Sequence, residues 1–569
     1  MHLKKSISNG RVYLSIVHGY RDAVTKKVKH RTIQSLGYLD DLKKHYPDPV
    51  AHFKAVVKEM NKKHALENPP VTIGVDPKEI LKDSTANRKN IGYAALSKIY
   101  HELGLDIFFY SNSRSFKSEF NTNSIMKLLT FSRILAPASK KKTYEDKDLY
   151  FENMDFSLDD VYRCLTQVVT FVDKLKLHLH RQMKEKFGRN TDLVYYDVTN
   201  YYFEIDKQDE IRRKGVSKEH RPDPIVQMGL LMDTRGIPIF YDLFPGNTND
   251  CETLMPVLDK VKTDYEIGRT IIVADKGINT ADNIAFSLCR GDGYVYSQTV
   301  RGGNKELKNY VLDPSGYREI GDNCKIKSRL YPREIAISNA EGGRTKVRID
   351  EKQVVFYSAD YDLRAKADRE PALIKARDLV NNPSKYNKAI SYGAAKYVKN
   401  LVFDPKTGEI MTTKQRPMFD EEKLREEEKF DGYYAIVTSE WKKTDEEIIE
   451  IYRGLWRIEE AFKVTKSDLE TRPVYLSSND HIQAHFLICF VALVIARLLQ
   501  LSLGNKYTIP KIVESLNKAS GSLLEENWYV FNHADEITEA ITETLGIDLS
   551  RKYLRLGDIK KLLGATKRA

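Results

Sequence analysis

The stretch Tyr452-Arg-Gly-Leu-Trp-Arg-Ile-Glu-Glu-Ala-Phe-Lys-Val-Thr-Lys466 contains the most informative pattern in the chain. If it is helical, steps of seven residues make nearly two turns and place Tyr452, Glu459 and Lys466 along one face. An acid between an aromatic ring and a cation suits a metal-bound phosphodiester. The simpler interpretation is a solvated helix with ion pairs between neighbouring turns, and the helix alone favours it. A functional interpretation therefore requires further acids elsewhere in the sequence.

The basic residues are concentrated at the two ends of the chain. The net charge is +11 over 569 residues. Residues 1–45 carry ten Lys and Arg against three Asp and no Glu, and residues 551–569 carry seven against one Asp. Basic ends on a nearly balanced body indicate contact with a polyanion, although a solvated tail is the alternative for the last nineteen residues.

The cysteine pattern and the apolar segments exclude several classes of protein. The five cysteines are odd in number, scattered, and never form a Cys-x-x-Cys pair, which argues against a disulfide framework or a zinc site and suits a reducing cytosol. The start of the chain lacks the apolar core of a signal peptide. The longest apolar run, residues 486–496, is too short to span a bilayer and predicts a buried helix. We therefore expect a cytoplasmic protein with no membrane partner.

Two further patterns resemble cofactor sites but lack essential residues. His481 and His485 are four residues apart, but no Glu follows His481 as in a zinc-binding helix, so core or capping roles are favoured. The pair Gly302-Gly303 lacks the Lys-Ser/Thr of a phosphate loop. Nothing in the sequence therefore indicates a nucleotide cofactor.

The periodicity of apolar residues predicts an α/β protein built from five segments. They are a basic β-hairpin arm and helix at residues 1–85, a helical region at 86–190, an α/β core at 191–299 and 430–503, an inserted β-rich domain at 300–429, and a C-terminal helical region with a basic tail at 504–569. The hairpin is predicted at residues 11–37 around a polar turn at 21–27. In the core, residues 193–203, 225–232 and 237–244 predict an antiparallel meander, and 270–275 a short buried parallel strand. A capping pattern at Thr444 opens the helix of Glu459.

Three acids occupy distinctive positions in this core. Asp197 lies within the first strand, Asp275 at the carboxyl end of the apolar strand, and Glu459 on the helix after the insertion. Carboxylates converging without His or Cys suit Mg²⁺ or Mn²⁺, and two such ions about 4 Å apart can promote phosphoryl transfer. For any single Asp at a strand end, a cap or turn residue is the alternative. Their order along the chain weakens that alternative.

At these residues the sequence resembles the DDE transposases of bacterial insertion sequences, in the group with a Tyr-Arg-Glu-Lys signature around the last acid. The resemblance covers roughly residues 190–500. It is carried by Tyr195-Tyr-Asp-Val-Thr199, by residues 236–248, by Val273-Ala-Asp-Lys-Gly277, by Asp431-Gly-Tyr-Tyr-Ala-Ile-Val437, and by residues 452–473.

The resemblance implies a ribonuclease-H-like catalytic core with a mainly β domain inserted between the second Asp and the Glu. The spacing agrees, since Asp197 and Asp275 are 78 positions apart (275 less 197) and Asp275 and Glu459 are 184 apart (459 less 275). The resemblance also implies that these three acids bind divalent metal, two Mg²⁺ ions or alternatively Mn²⁺. Tyr452 and Lys466 would contact DNA phosphates near the cleaved end, and residues 1–190 would bind the DNA ends.

One position departs from the signature. Leu455 stands where the signature has Arg, which leaves Arg457 as the candidate substitute. Lys463 is a further candidate for DNA binding. Trp456 would stack on an unpaired base, or else would be a buried core residue. Glu460 adjoins Glu459, so the choice of Glu459 depends on the seven-residue step to Lys466.

The resemblance implies a nucleoid-associated bacterial transposase. It would bind the inverted repeats at the ends of an insertion sequence, pair two ends as a dimer, hydrolyse one strand, and use the freed 3′-hydroxyl to attack target DNA. Two alternatives are a metal-dependent nuclease that only hydrolyses DNA and a domesticated, non-catalytic DNA-binding protein. Intact acids at all three positions argue against the second alternative.

Overall fold

The computed structural model describes residues 1–8, 11–21, 28–67, 88–216, 222–321, 323–339, 341–382, 392–399, 402–403, 410–411, 417–472, 474–524 and 527–568. The turn predicted at residues 22–27, residues 68–85 of the first predicted segment, and residue 473 of the family motif lie outside these ranges. The chain forms two compact units, one of Met1–Ser84 with Leu524–Glu526 and the other of Thr85–Leu523 with Asn527–Ala569.

The strands are as follows. They are β1 His2–Ser8, β2 Arg11–Arg21, β3 Val28–Tyr38, β4 Arg88–Asn90, β5 Leu193–Tyr202, β6 Ile225–Asp233, β7 Pro238–Pro245, β8 Ile271–Ala274, β9 Gly293–Gln298, β10 Arg318–Glu319, β11 Cys324–Leu330, β12 Arg333–Ser338, β13 Arg344–Ile349, β14 Lys352–Ser358, β15 Val398–Lys399, β16 Val402–Phe403, β17 Ile410–Met411, β18 Met418–Phe419, β19 Tyr433–Thr438, β20 Ser520–Leu523, β21 Trp528–Phe531 and β22 Tyr553–Arg555.

The helices are as follows. They are α1 Leu39–Leu42, α2 Pro49–Glu67, α3 Tyr93–Glu102, α4 Leu105–Ser113, α5 Thr122–Leu135, α6 Lys140–Glu145, α7 Leu158–Val169, α8 Val172–Phe187, α9 Leu254–Asp264, α10 Ala281–Cys289, α11 Lys305–Leu312, α12 Ala359–Asn381, α13 Tyr392–Ala395, α14 Glu421–Glu428, α15 Asp445–Arg453, α16 Trp456–Lys463, α17 Asn479–Ser502, α18 Ile509–Lys518, α19 Glu536–Leu545 and α20 Leu556–Ala565.

The first unit is a small antiparallel sheet in the order β1-β2-β3, with α1 and α2. The predicted hairpin is present as β2 and β3, and β1 adds a third strand that pairs with β2 from His2 to Ser8. Leu14, Ile16 and Val17 of β2 are buried.

A nine-stranded mixed sheet in the order β10-β11-β14-β19-β9-β8-β5-β6-β7 forms the centre of the second unit. The five strands β5 to β9 of this sheet, numbered one to five along the chain, lie in the order 3-2-1-4-5. Strand β6 is antiparallel to both of its neighbours, whereas β5, β8 and β9 run parallel. This order and these directions are those of a ribonuclease-H-like sheet, so the predicted fold class is confirmed.

The segment between the second Asp and the Glu continues the same sheet. β19 pairs antiparallel with β9, and β14, β11 and β10 then extend the edge. The longest element of this segment is the helix α12, so it is less strongly β than the sequence indicated. The sequence predicted an inserted domain at residues 300–429, and in the structure β10, β11 and β14 of this segment belong to the central sheet.

Helices cover both faces of the central sheet. On one face, α15, α16 and α17 join a core that also includes α3, α5 and α7, and on the other face α9 and α10 pack against the strands. α17 is long and apolar enough to cross a membrane by length and composition, but 94% of that apolar window is buried inside the protein. It is the buried helix that the sequence predicted.

The C-terminal region differs from the purely helical prediction. It contains β20, β21 and β22, which form a sheet with β4 in the order β22-β21-β20-β4. The basic end is not simply solvated, because Thr566 is buried and its hydroxyl lies 2.9 Å from that of Ser97 on α3.

One buried ion pair stabilises the turn between β6 and β7. Arg189 Nε donates to Asp233 Oδ2 at 3.1 Å, and both side chains are 1% exposed. Asp233 also accepts hydrogen bonds from the backbone N–H groups of Arg235 and Ile237. The carboxylate therefore balances a buried cation and holds the turn.

Replacing Asp233 with Ala should lower the free energy of unfolding by about 3–5 kcal/mol, because it leaves the Arg189 charge buried without a partner. The matched control is Asp259→Ala, which removes the partner of Arg290 from a carboxylate that is 59% exposed, and it should cost less than about 1 kcal/mol. Urea denaturation measures both changes. Equal costs would contradict the assignment of Asp233 as a structural anchor.

Candidate active site

The pairing of β5 with β8 brings the two predicted aspartates together. These parallel strands pair Leu193 with Ile271 and Tyr195 with Val273, an offset of 78 positions. Asp197 and Asp275 have the same offset (275 less 197), so the register, continued by two residues, places them side by side. Neighbouring strands lie roughly 4.8 Å apart, and level residues of parallel strands project from the same face. The register therefore brings Asp197, within β5, toward Asp275, the first residue after β8.

Each of these carboxylates is oriented by a backbone amide close to it. Val198 N donates to Asp197 Oδ1 at 2.7 Å, and Gly277 N donates to Asp275 Oδ1 at 2.7 Å. Both aspartates are half-buried. The backbone amides therefore fix the orientation of both carboxylates.

The predicted continuous helix through Tyr452, Glu459 and Lys466 is wrong. The capping box at Thr444 is present and opens α15, but α15 ends at Arg453, and α16 begins at Trp456. Lys466 lies in a π-helical turn, Val464–Asp468. The three side chains therefore belong to three consecutive elements and do not form one straight stripe.

The interruption between α15 and α16 has a specific steric cause. A Cβ atom on Gly454 would lie 1.8 Å from the hydroxyl oxygen of Tyr195, so only glycine fits beside this side chain of β5. The chain tightens here into i→i+3 hydrogen bonds, from Leu455 N to Tyr452 O at 3.0 Å and from Arg457 N to Gly454 O at 3.2 Å. Tyr195 also hydrogen-bonds to Arg457.

Tyr452 connects the helical segment to the strand ends. Burial is the main cause that raises the pKa of Tyr452 to about 12, while a hydrogen bond with Ser297 at the end of β9 opposes this rise. The negative charges of Asp275 and Glu459 add to it. At neutral pH its hydroxyl is therefore a proton donor next to two of the predicted metal ligands.

The surroundings of Glu459 and Glu460 distinguish these neighbouring acids. Glu460 accepts a hydrogen bond from Arg497 Nη1 of α17 at 3.1 Å. Glu459 is exposed, and within the described part of the chain its side chain makes no hydrogen bond or ion pair. Glu459 is therefore available to a ligand, whereas Glu460 has a structural partner.

The three predicted ligands are not gathered into a closed metal site. Among the residues that the structure describes, no group of three or more His, Cys, Asp or Glu side chains could hold a metal ion. The donor set nevertheless fits a hard divalent cation by its chemistry, because it consists of carboxylate oxygens only. Two of the three carboxylates are fixed on adjacent strands, and Glu459 is on α16, which packs on β5.

The predicted DNA-binding residues occupy different environments. Lys466 Nζ lies 5.6 Å from the ring centroid of Tyr201, a β5 residue on the same strand face as Asp197. Lys463 is exposed. Trp456 is 53% exposed, so the alternative of a buried core tryptophan is wrong, and the Arg457 guanidinium carbon lies 5.3 Å from its ring centroid.

The signature position occupied by Leu455 belongs to the core. Leu455 is 6% exposed and packs in the apolar cluster beneath the helices. Arg457 instead extends past Gly236 to the Tyr195 hydroxyl. The structure therefore gives Arg457 a bracing contact with β5 and Trp456.

A buried basic cluster, not anticipated as part of the site, binds the carbonyl groups that follow the π-helical turn. Arg133 Nη1 donates to Leu469 O at 3.2 Å, and the His485 Nε2–H donates to Thr471 O at 3.0 Å, with Lys140 Nζ donating to His485 Nδ1 at 3.2 Å. Burial lowers the pKa of His485 well below its ordinary value, so its ring is neutral. His485 is therefore a buried core residue, which is one of the two roles, core or cap, that the sequence favoured.

Gly454→Ala should lower the melting temperature and the activity together, because the new methyl group would clash with the Tyr195 hydroxyl and displace α16 from β5. The matched control is Gly557→Ala in α20, where an added Cβ meets nothing within 4 Å. That control should stabilise its helix slightly, since Ala is favoured over Gly by about 1 kcal/mol. Thermal denaturation of both variants measures the difference, and equal melting temperatures would contradict the steric cause.

Lys140 should make stability depend on pH in the alkaline range. Burial lowers the pKa of Lys140 to about 7, whereas an unfolded lysine titrates near about 10.4. As the pH falls from about 10 to 7, the unfolded chain binds a proton that the folded chain does not, so the free energy of unfolding decreases, by roughly 4 kcal/mol over the whole interval. Below pH 7 this contribution is constant.

Lys140→Met should remove this slope between pH 7 and 10, as measured by urea denaturation at several pH values. The control is Lys141→Met, a neighbour whose side chain is 69% exposed, which should leave the slope unchanged. Parallel curves for wild type and Lys140→Met would show that Lys140 titrates normally.

Two parts of the chain are similar to known protein families. Residues 2–70 match the family model for the N-terminal domain of IS1634 family transposases, and residues 371–495, which contain Glu459, match the model for the transposase DDE domain. A solved structure with some similarity is a cryo-EM structure of the piggyBac transposase synaptic complex with hairpin DNA, with 9% identity, a TM-score of 0.35, and coverage of 84% of this chain and 85% of that chain. No curated protein matches the chain.

The fold assignment rests on the strand order and not on the low-scoring structural likeness. The two family matches lie in different units of the molecule, one in the basic N-terminal unit and the other around the helix of Glu459. Together with the two aspartates on a ribonuclease-H-like sheet, they show that residues 2–70 and 371–495 of the chain are similar to the N-terminal domain and the DDE domain of insertion-sequence transposases.

Proposed function

We propose that this protein is a DDE transposase of an insertion sequence, which binds the terminal inverted repeats of its element, cleaves one DNA strand with the help of divalent metal, and joins the freed 3′-hydroxyl to target DNA. The observation that carries the proposal is the shared offset of 78 positions between the β5–β8 register and the pair Asp197 and Asp275. Because the two strands are hydrogen-bonded neighbours, this register supports a position of Asp275, the first residue after β8, close to Asp197 of β5.

We assign Asp197, Asp275 and Glu459 as the ligands of the metal, Mg²⁺ or Mn²⁺. When bound there, two divalent ions would supply activation of the attacking oxygen and stabilisation of the leaving oxygen. The unpartnered side chain of Glu459 supports its choice over Glu460, which is engaged by Arg497.

The remaining residues would hold the DNA strand. The neutral Tyr452 hydroxyl, next to Asp275 and Glu459, is suited to donate a hydrogen bond to a phosphate oxygen. Lys463 and Lys466 add positive charge on the same side, and the exposed ring of Trp456 offers a stacking surface that Arg457 braces. We also propose that the protein pairs two DNA ends as a dimer and that residues 1–190 contribute to binding those ends.

Asp197→Asn, Asp275→Asn and Glu459→Gln should each reduce strand cleavage by about 10³-fold or more, since the loss of a metal ligand removes several kcal/mol of transition-state stabilisation. Binding of the ends, measured by gel shift in Ca²⁺, should change little. The matched control is Glu460→Gln, which keeps an acceptor for Arg497 and should retain cleavage. Normal cleavage by any of the three variants would remove that residue from the site.

A nuclease that only hydrolyses DNA would give a different product from a transposase. A pre-cleaved end with a 3′-hydroxyl, incubated with a supercoiled plasmid and Mg²⁺, should become covalently joined to the plasmid if the protein is a transposase. Hydrolysis of the ends without any joined product would favour a nuclease.

A further inference from the structure

A second feature of this edge of the sheet is a cavity of about 460 Å³ beside the two aspartates. It lies at the carboxyl end of β5 and the amino end of β6, and the loop of residues 246–251 forms one wall. Val198 and Gly277 line it, and these are the residues whose backbone N–H groups bind Asp197 and Asp275. The cavity therefore lies at the edge of the sheet near the turn of Asp275, and Asn200 and Gln227 enter it from the face of the sheet opposite to Asp197.

The described lining of the cavity combines apolar surface with amide and hydroxyl side chains. Amide and hydroxyl side chains predominate, including Asn200, Gln227 and Asn247, and the one charged side chain among the described lining residues is Asp250. A phosphate would be expected to meet Lys or Arg, and a metal ion would be expected to meet several carboxylates. Side-chain amides offer a donor and an acceptor together, as the edges of nucleobases do.

Gln227 supplies an unused hydrogen-bond acceptor in this lining. It is the cross-strand neighbour of Asn200 and is 5% exposed. Among the described residues, its buried Oε1 has no hydrogen-bond partner. A buried acceptor without a partner is unfavourable, so an amino group that enters the cavity would relieve this cost.

The cavity wall is formed by close backbone packing. A Cβ atom on Gly215 would lie 1.9 Å from Gly246 O, and one on Gly246 would lie 2.1 Å from Ile225 O. Backbone bonds between Arg213 and Ile225, at 2.8 and 3.1 Å, fix the adjoining segment. The walls are therefore in place before a ligand arrives, which lowers the cost of ordering on binding.

We propose that this cavity binds the base of the nucleotide next to the phosphate held at Asp197 and Asp275, and that Gln227 and Asn247 read its edge. The proposal rests on the proposed function and names a specificity pocket for it. Because Gln227 Oε1 is an acceptor, the preferred base carries an exocyclic amino group, as adenine, cytosine and guanine do and thymine does not.

The test uses the full-length protein and duplexes of the element's own ends, with each of the four bases in turn at the two positions that flank the cleaved bond. Binding is measured in Ca²⁺ and cleavage in Mg²⁺. At one of the two positions, wild type should prefer a base with an amino group by roughly 5- to 150-fold. If the preferred base is adenine, its replacement by purine, which lacks only the amino group, should remove the preference.

Gln227→Leu should reduce this preference to less than about 2-fold while binding of the disfavoured duplex remains unchanged. Asn247 is exposed at the rim, so Asn247→Ala should fold normally and reduce the preference in part, and it decides the question if Gln227→Leu is unstable. Asn382→Ala, on the surface at the end of α12 and outside the cavity, is the matched control.

An unaltered base preference in both cavity variants would overturn this inference and leave the proposed cleavage intact. A change in salt dependence without a change in base preference would also overturn it, because that result indicates a phosphate ligand. If wild type fails to cleave any duplex, the proposed function fails, while the binding preference in Ca²⁺ still tests the cavity.

Discussion

The parallel hydrogen-bonding of β5 with β8 is the constraint on which the catalytic side of this molecule depends. It brings Asp197 of β5 toward Asp275, the first residue after β8, and Val198 and Gly277, whose N–H groups bind these acids, line the cavity at the same edge of the sheet. Strands β6 and β7 flank this pair on one side and β9 flanks it on the other, so the pair lies inside the sheet. The position of the acids is therefore as stable as the sheet itself.

Much of this arrangement was predictable from the sequence because it depends on local patterns. The short apolar strand before Asp275 and the β-branched, aromatic strand around Asp197 indicated a buried pair, and the capping pattern at Thr444 correctly opened α15. The buried helix α17 followed from its composition alone. Apolar residues that recur every two residues in a strand, or every 3.6 residues in a helix, indicate these elements without any knowledge of distant contacts.

The features that the sequence did not predict have distant causes. The interruption at Gly454 arises from the hydroxyl of Tyr195, which is more than 250 positions away in the chain, and no local pattern records that contact. The same holds for Leu455, whose place in the core depends on helices from the N-terminal half of the second unit. β20 to β22 were missed because they are only three or four residues long, too short to show a clear alternation.

The nine-stranded sheet also limits where the catalytic centre can change its shape. Since β14 and β19 bond the inserted segment to β9, the strands of that segment share one frame with both aspartates. The turn between Arg453 and Trp456, with its tightened hydrogen bonds, separates α15 from α16, the helix that carries Glu459. Because Gly454 packs against Tyr195 of β5, this turn sets the direction of α16 and thereby the position of Glu459 relative to the strand that carries Asp197.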